Sequence, residues 1–106
     1  MPMSIYFITR HTGALAWAKQ KHLQYDVHLE HLSDLSLLKT GDLVIGTLPI
    51  NIVYELNVQG VRYIHLSLQI PAELRGVELN AQQLEECQAT LEEYQVQRKP
   101  FFPNQE

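Results

Sequence analysis

Two short runs, Ile5-Tyr6-Phe7-Ile8 and Leu43-Val44-Ile45, are apolar at every position, and each passes into a polar turn followed by a helical pattern. A strand that is apolar on both faces must be covered on both faces, the condition of a parallel sheet with helices on either side. The remaining segments keep the same alternation of strand and helix. Met3 to Thr9 reads as the first strand and Asp42 to Thr47 as the third. Between them lie a helix from Gly13 to about His22, a strand from Tyr25 to Leu32, and a short helix from Ser33 to Lys39, capped by Ser33 and closed by Gly41. Lys19, Lys21 and His22 place positive charge at the first helix's C-terminal end.

Pro49 suits the first turn of the next helix and Gly60 its end. Val61 to Leu68 is the fourth strand, with Arg62, Ile64 and Leu66 alternating against Val61, Tyr63 and His65. Asn80 and Gln83 then have capping-box spacing. Leu84, Cys87, Leu91 and Tyr94 form the apolar stripe of a last helix that Pro100 limits. Strands two and four alternate, as half-exposed edges do, and right-handed crossovers then predict the order 2-1-3-4. The expectation is one α/β domain over residues 1–99, a Rossmann-like, mainly parallel four-stranded sheet flanked by helices, with a tail at 100–106. In that order the connections after strands one and three leave in opposite directions and open a crevice at the strands' carboxyl ends, where open α/β sheets bind ligands.

Size and charge narrow the function. A chain of 106 residues, 45% hydrophobic, is one domain with a true core. Its apolar runs are far shorter than the ~20 residues of a membrane span, and no basic start precedes an apolar signal segment. A cytoplasmic protein without a membrane partner is expected. The net charge of −4 is concentrated after residue 72, where seven acidic side chains face three basic ones. A duplex nucleic acid partner needs a basic surface and is not expected. Cys87 is the single cysteine, so no disulfide within the chain forms, and it reads as a core thiol.

The candidate chemistry lies at the two central strand ends. Thr9-Arg10-His11-Thr12-Gly13 and Gly46-Thr47-Leu48-Pro49-Ile50-Asn51 each lead into a helix, offering hydroxyls and backbone N–H groups that favour an anion. Arg10 adds a fixed cation suited to phosphate, and His11 a group that exchanges protons near neutrality. The plain structural alternative is that these residues only cap helices and turn the chain. No dinucleotide fingerprint and no phosphate-binding glycine loop with lysine is present, so no cofactor is expected. His28 and His31 point to opposite faces of a strand, so no metal site is expected either. His65 reads as packed and His22 as a helix end. Ser67 either donates into the crevice or is satisfied by backbone, and Arg75 either reaches the crevice or pairs with Glu73.

Tyr6-Phe7-Ile8-Thr9-Arg10-His11, with Gly13-Ala14 and Trp17, resembles the opening of a small CRISPR-associated family, the sixteenth Csx family of type III systems. The resemblance continues through Gly41-Asp42-Leu43-Val44-Ile45-Gly46-Thr47-Leu48-Pro49, through His65-Leu66-Ser67-Leu68, and through Pro71 to Leu79. It covers most of the chain from Tyr6 to about Tyr94, although Tyr25 to Lys39 and the residues after Gln97 match nothing in it. It implies a relative of the CARF-type Rossmann-like domains, a homodimer that binds cyclic tetra-adenylate and, as a ring nuclease, cuts it to end antiviral signalling. Arg10, His11, Gly46, Thr47 and Arg75 are the positions carried over. The expected activity is a metal-independent phosphodiesterase using the substrate's own 2′-hydroxyl, with Arg10 and His11 catalytic. Thr9, Thr12, Gly13, Gly46, Thr47, Leu48, Pro49, Asn51, Ser67 and Arg75 are the expected ligand-binding residues. The alternatives are a non-catalytic protein that sequesters or senses the messenger, and an adaptor whose crevice is vestigial.

Overall fold

The computed structural model describes residues 3–101. Most of the expected tail, 102–106, lies outside the described residues. The elements in chain order are β1 (Ile5–Ile8), α1 (Thr12–Gln20), β2 (Val27–Leu29), a 3-10 turn (Leu35–Leu37), β3 (Leu43–Gly46), α2 (Ile50–Val58) and β4 (Arg62–Ser67). A second 3-10 turn (Ala72–Leu74), α3 (Ala81–Glu86) and β5 (Thr90–Tyr94) complete it. The sheet order is β2-β1-β3-β4-β5. β2, β1, β3 and β4 are parallel in the expected order, and β5 runs antiparallel to β4.

All four residues of β3 are buried, as the apolar run demands of a strand covered on both faces. One face carries Phe7, Ile45 and Leu66 against Ala14, Trp17 and Ala18 of α1 and Leu84 of α3. The other carries Ile8, Val44 and Tyr63 against Val53 and Leu56 of α2. Cys87 packs in the first of these clusters as an unpaired thiol. Burying each such large side chain contributes about 1.5–3 kcal/mol. The two layers therefore fix α1 and α2 firmly on opposite faces, and with them the two turns that enter those helices. Trp17 Nε1 donates to Glu85 Oε1 at 2.8 Å, and Lys21 Nζ donates to Glu85 Oε2 at 2.7 Å, tying α1 to α3. These two bonds hold the Glu85 carboxyl below its ordinary value.

The last helix departs from the sequence expectation. Its capping box forms, with Asn80 Oδ1 accepting from the Gln83 N–H at 2.8 Å and Gln83 Oε1 from the Asn80 N–H at 2.9 Å. Yet the helix ends at Glu86, and the segment expected to continue it is β5. Gln88 adopts φ 59°, its N–H bonds the Glu85 carbonyl at 3.0 Å, and the Ala89 N–H returns to the Leu84 carbonyl at 3.1 Å, the pattern of a Schellman closure. Strand geometry instead sends Leu91 and Tyr94 to opposite faces of the sheet, and β4 gains a second neighbour. Leu91 then faces Leu66, Glu93 faces Ile64, and the Arg62 guanidinium donates to both Glu93 oxygens at 2.9 and 2.8 Å. Sheet pairing overrides the local helical pattern here. β4 is consequently interior rather than an edge. Two smaller boundaries also move. The first 3-10 turn is capped by Asp34, not Ser33, with Asp34 accepting from the Ser36 N–H at 3.0 Å. α1 begins at Thr12, with His11 as its N-cap.

Candidate functional site

β1 and β3 are neighbours, and their following helices pack on opposite faces of the sheet. The two turns therefore diverge at the strands' carboxyl ends. On the β1 side the Thr9 N–H donates to the Leu29 carbonyl at 2.9 Å, extending the pairing with β2. Thr9 Oγ1 then accepts from the His11 N–H at 3.1 Å, a local turn that swings His11 to the head of α1. His28 Nε2 lies 2.7 Å from the Thr9 carbonyl, which can only accept, so that nitrogen carries the hydrogen. His28 thus holds the turn from the neighbouring strand.

On the β3 side the anchor is Tyr63, 1% exposed. Its hydroxyl donates to the Gly46 carbonyl at 2.9 Å and accepts from the Leu48 N–H at 2.9 Å. The hydroxyl hydrogen being committed to Gly46, the 2.7 Å contact with His65 Nδ1 requires that nitrogen to be the donor. Burial pushes the Tyr63 phenol above its ordinary value, which keeps it neutral and able to donate. The Gly46-Thr47-Leu48 turn is pinned from beneath by one side chain.

Two cavities meet at these turns. One, of about 310 Å³, is lined mainly by apolar side chains including Phe7, Leu66, Leu68, Ile70 and Leu84, with His11 and Glu78 among its walls. The other, of about 360 Å³, carries Arg10, His11, Glu30, His31, Leu48 and Pro49. Thr9, His11 and Thr47 line both. Neither α1 nor α2 has a side-chain cap, whereas α3 has a complete capping box. The first-turn N–H groups of α1 and α2 thus lack a side-chain acceptor from their own N-caps, and such groups favour anions. Arg10 has no carboxylate within ion-pair distance among the described residues. His11 Nδ1 lies 2.9 and 3.1 Å from the two Glu78 oxygens, and both side chains remain about half exposed.

Of the residues singled out in the sequence, Thr9, Arg10, His11, Gly46, Thr47, Leu48 and Pro49 come together at the two cavities. Thr12 and Gly13 lie on the far side of the helix start, in a groove with Asn80 and Ala81. Gly13 is there because a Cβ would overlap the Leu79 carbonyl oxygen, so its role is a close approach between α1 and the following loop. Asn51 is exposed and lines neither cavity. Ser67 Oγ donates to Glu92 Oε1 at 3.0 Å, on the opposite face of β4 from Leu66. Arg75 is exposed, and among the described residues it neither lines a cavity nor pairs with Glu73. The site also contains Glu78, Tyr63, Glu30 and His31, none of them among the expected catalytic or ligand-binding residues. Glu78 lies within the Pro71 to Leu79 block of the resemblance, Glu30 and His31 follow the last residue of β2, and Tyr63 sits in a strand with no local signature of a site. Among the described residues, no group of three His, Cys, Asp or Glu side chains is arranged to hold a metal ion. No helix among them is long and apolar enough to cross a membrane.

Compared with known protein families, residues 6–97 match the family described as "Putative CRISPR-associated protein (Cas_VVA1548)". No curated protein and no solved structure matches the chain.

Proposed function

The chain belongs to the Cas_VVA1548 family of CRISPR-associated proteins, and from that premise we propose that it is a ring nuclease that binds and cleaves a cyclic oligoadenylate, most plainly cyclic tetra-adenylate. The finer family assignment, to the sixteenth Csx family of type III systems, rests on the motif blocks from Tyr6 to Leu79. The observation that carries the activity is the joining of two unlike cavities at Thr9, His11 and Thr47. A nucleotide has the same two halves. The apolar cavity suits a purine base, and the cavity with Arg10 and the uncapped helix ends suits a phosphodiester.

The reaction follows from the substrate. An RNA-type phosphodiester carries its nucleophile beside the scissile phosphorus. The ribose 2′-oxygen forms a bond to phosphorus as the bond from phosphorus to the 5′-oxygen breaks. A proton leaves the 2′-hydroxyl and a proton is gained by the departing 5′-oxygen. The products are linear adenylates with a 2′,3′-cyclic phosphate at one end and a 5′-hydroxyl at the other. The protein must align the 2′-oxygen with the leaving oxygen and stabilise charge on the phosphate. Backbone at Gly46 and Thr47, held by Tyr63, supplies the alignment, Arg10 the charge, and His11 a proton-transfer group. The Arg10 cation and the 2′-hydroxyl perform these tasks without a metal ion.

Purified protein incubated with radiolabelled cyclic tetra-adenylate in EDTA is expected to yield those products. Products ending in a 3′-hydroxyl, or activity lost in EDTA and restored by manganese, overturn the mechanism. A ring that is bound but left intact gives the non-catalytic, sequestering protein instead. Replacing Arg10 with alanine is expected to weaken ring binding by about 1.5–3 kcal/mol, the range for a hydrogen bond to a charged group. Calorimetric titration at two salt concentrations checks this, because wild-type binding should lose more on raising salt than Arg10→Ala binding does. Equal affinities would remove Arg10 from the site. A ring of four near-equivalent nucleotides also fits two copies of one crevice about a two-fold axis. A dimer is expected in sedimentation at micromolar concentration, and a monomer with and without ligand would contradict it.

A further inference from the structure

We infer that Glu78 is a positioning residue for His11, selecting the ring nitrogen that faces the substrate. The inference rests on the cleavage proposed above, but its geometric part stands apart from it. Glu78 lies 67 residues from His11 in the chain and reaches it from the loop before α3, with both carboxylate oxygens near the same nitrogen, at 2.9 and 3.1 Å from Nδ1. An ionised carboxylate only accepts hydrogen bonds, so Nδ1 carries the hydrogen. The nitrogen left for chemistry is Nε2, a lone pair when the ring is neutral and a donor when it is charged. A catalytic base turned and set in one tautomer by a third group is a recurring arrangement in proton-transfer sites.

Three features argue that the contact serves orientation. Both side chains are about half exposed, at 52% and 59%, and exposed ion pairs add little to stability. Both line the apolar cavity, so the pair sits at the edge of the candidate site rather than on a remote surface. The loop that delivers Glu78 is also held in register. Leu79, the next residue, is buried, and its carbonyl packs against Gly13 two residues beyond His11. With any side chain at position 13 the loop could not approach α1 this closely. Gly13 therefore works at one remove, by bringing Glu78 alongside His11.

The test uses the full chain with Glu78→Ala and Glu78→Gln, both at an exposed position. For wild-type protein at alkaline pH, where imidazoles are neutral, nitrogen-resolved NMR is expected to show His11 protonated at Nδ1. Glu78→Ala is expected to lose that preference, while Glu78→Gln retains part of it through its amide oxygen. Single-turnover cleavage of cyclic tetra-adenylate is expected to fall roughly 10–100-fold in Glu78→Ala, the range for loss of an outer-shell partner of a functional histidine. Glu78→Gln should fall less. Affinity for the ring should hold or tighten, because a negative charge near phosphate has been removed. An unchanged His11 tautomer in Glu78→Ala overturns the inference, and so does cleavage at or above the wild-type rate. If the wild-type protein cuts no ring, the proposed function fails, and the NMR result still decides whether Glu78 sets His11.

Discussion

Replacing His11 with alanine is expected to slow ring cleavage by about 10²–10³-fold while leaving ring binding within a few-fold of wild type. The asymmetry comes from what the side chain touches. His11 stands where the two cavities meet, with Nδ1 occupied by Glu78, so only Nε2 is available to the substrate. Proton transfer at that nitrogen matters in the transition state, whereas ground-state attraction for phosphate is assigned to Arg10 and the helix ends. The substitution is also structurally mild. His11 is the N-cap of α1 but makes no side-chain capping bond, so its truncation removes no cap, and exposed substitutions of this kind usually stay within about 0.5 kcal/mol. Single-turnover rates, a ligand titration and a melting curve on one preparation separate the effects. A rate within about threefold of wild type would remove His11 from the chemistry. A parallel loss of binding would make it a ligand contact instead.

How far the sequence disclosed this arrangement varies with the kind of signal each residue left. The order of the four parallel strands was legible because β1 and β3 are apolar throughout, which places them inside the sheet. β5 was not legible, because the helix before it closes on Gln88 at φ 59° rather than on glycine. α1 closes in the same way on His22 at φ 57°, while α2 closes on Gly60 at φ 82°, the one end of the three with the expected residue. The turns at Thr9 to His11 and Gly46 to Pro49 were legible as polar breaks after apolar strands. Ser67 was not, because its partner, Glu92, lies on the unforeseen β5. The strand's period of two puts Leu66 on the cavity face and Ser67 on the other, where it meets Glu92. The contacts of Glu78 and Tyr63 were not legible, because their partners, His11 and Gly46, are distant in sequence and the contacts depend on the assembled sheet and loop.

Tyr63 carries the other large expected effect. Tyr63→Phe keeps the buried ring and deletes one oxygen, so packing is preserved while three polar groups lose their common partner. The Gly46 carbonyl, the Leu48 N–H and His65 Nδ1 all meet that hydroxyl. The bond to Gly46 is buried, and the other two are partly so. A buried group left unpaired costs about 1–3 kcal/mol, and the half-exposed Leu48 N–H recovers part of its loss through water. The net destabilisation is expected near 2–3 kcal/mol, a drop in melting temperature of roughly 10–20 °C for a domain of this size. The same deletion frees the Gly46-Thr47-Leu48 turn, whose backbone is proposed to align the 2′-oxygen with the leaving group. Small misplacements at such a position cost up to about 10²-fold in rate. Cleavage measured well below the variant's melting temperature should therefore fall even where the protein is fully folded. A Tyr63→Phe variant that melts within about 3 °C of wild type would show that the turn is held by other means. Full stability loss with unchanged cleavage by the folded fraction would confine Tyr63 to the fold and take the Gly46 turn out of the chemistry.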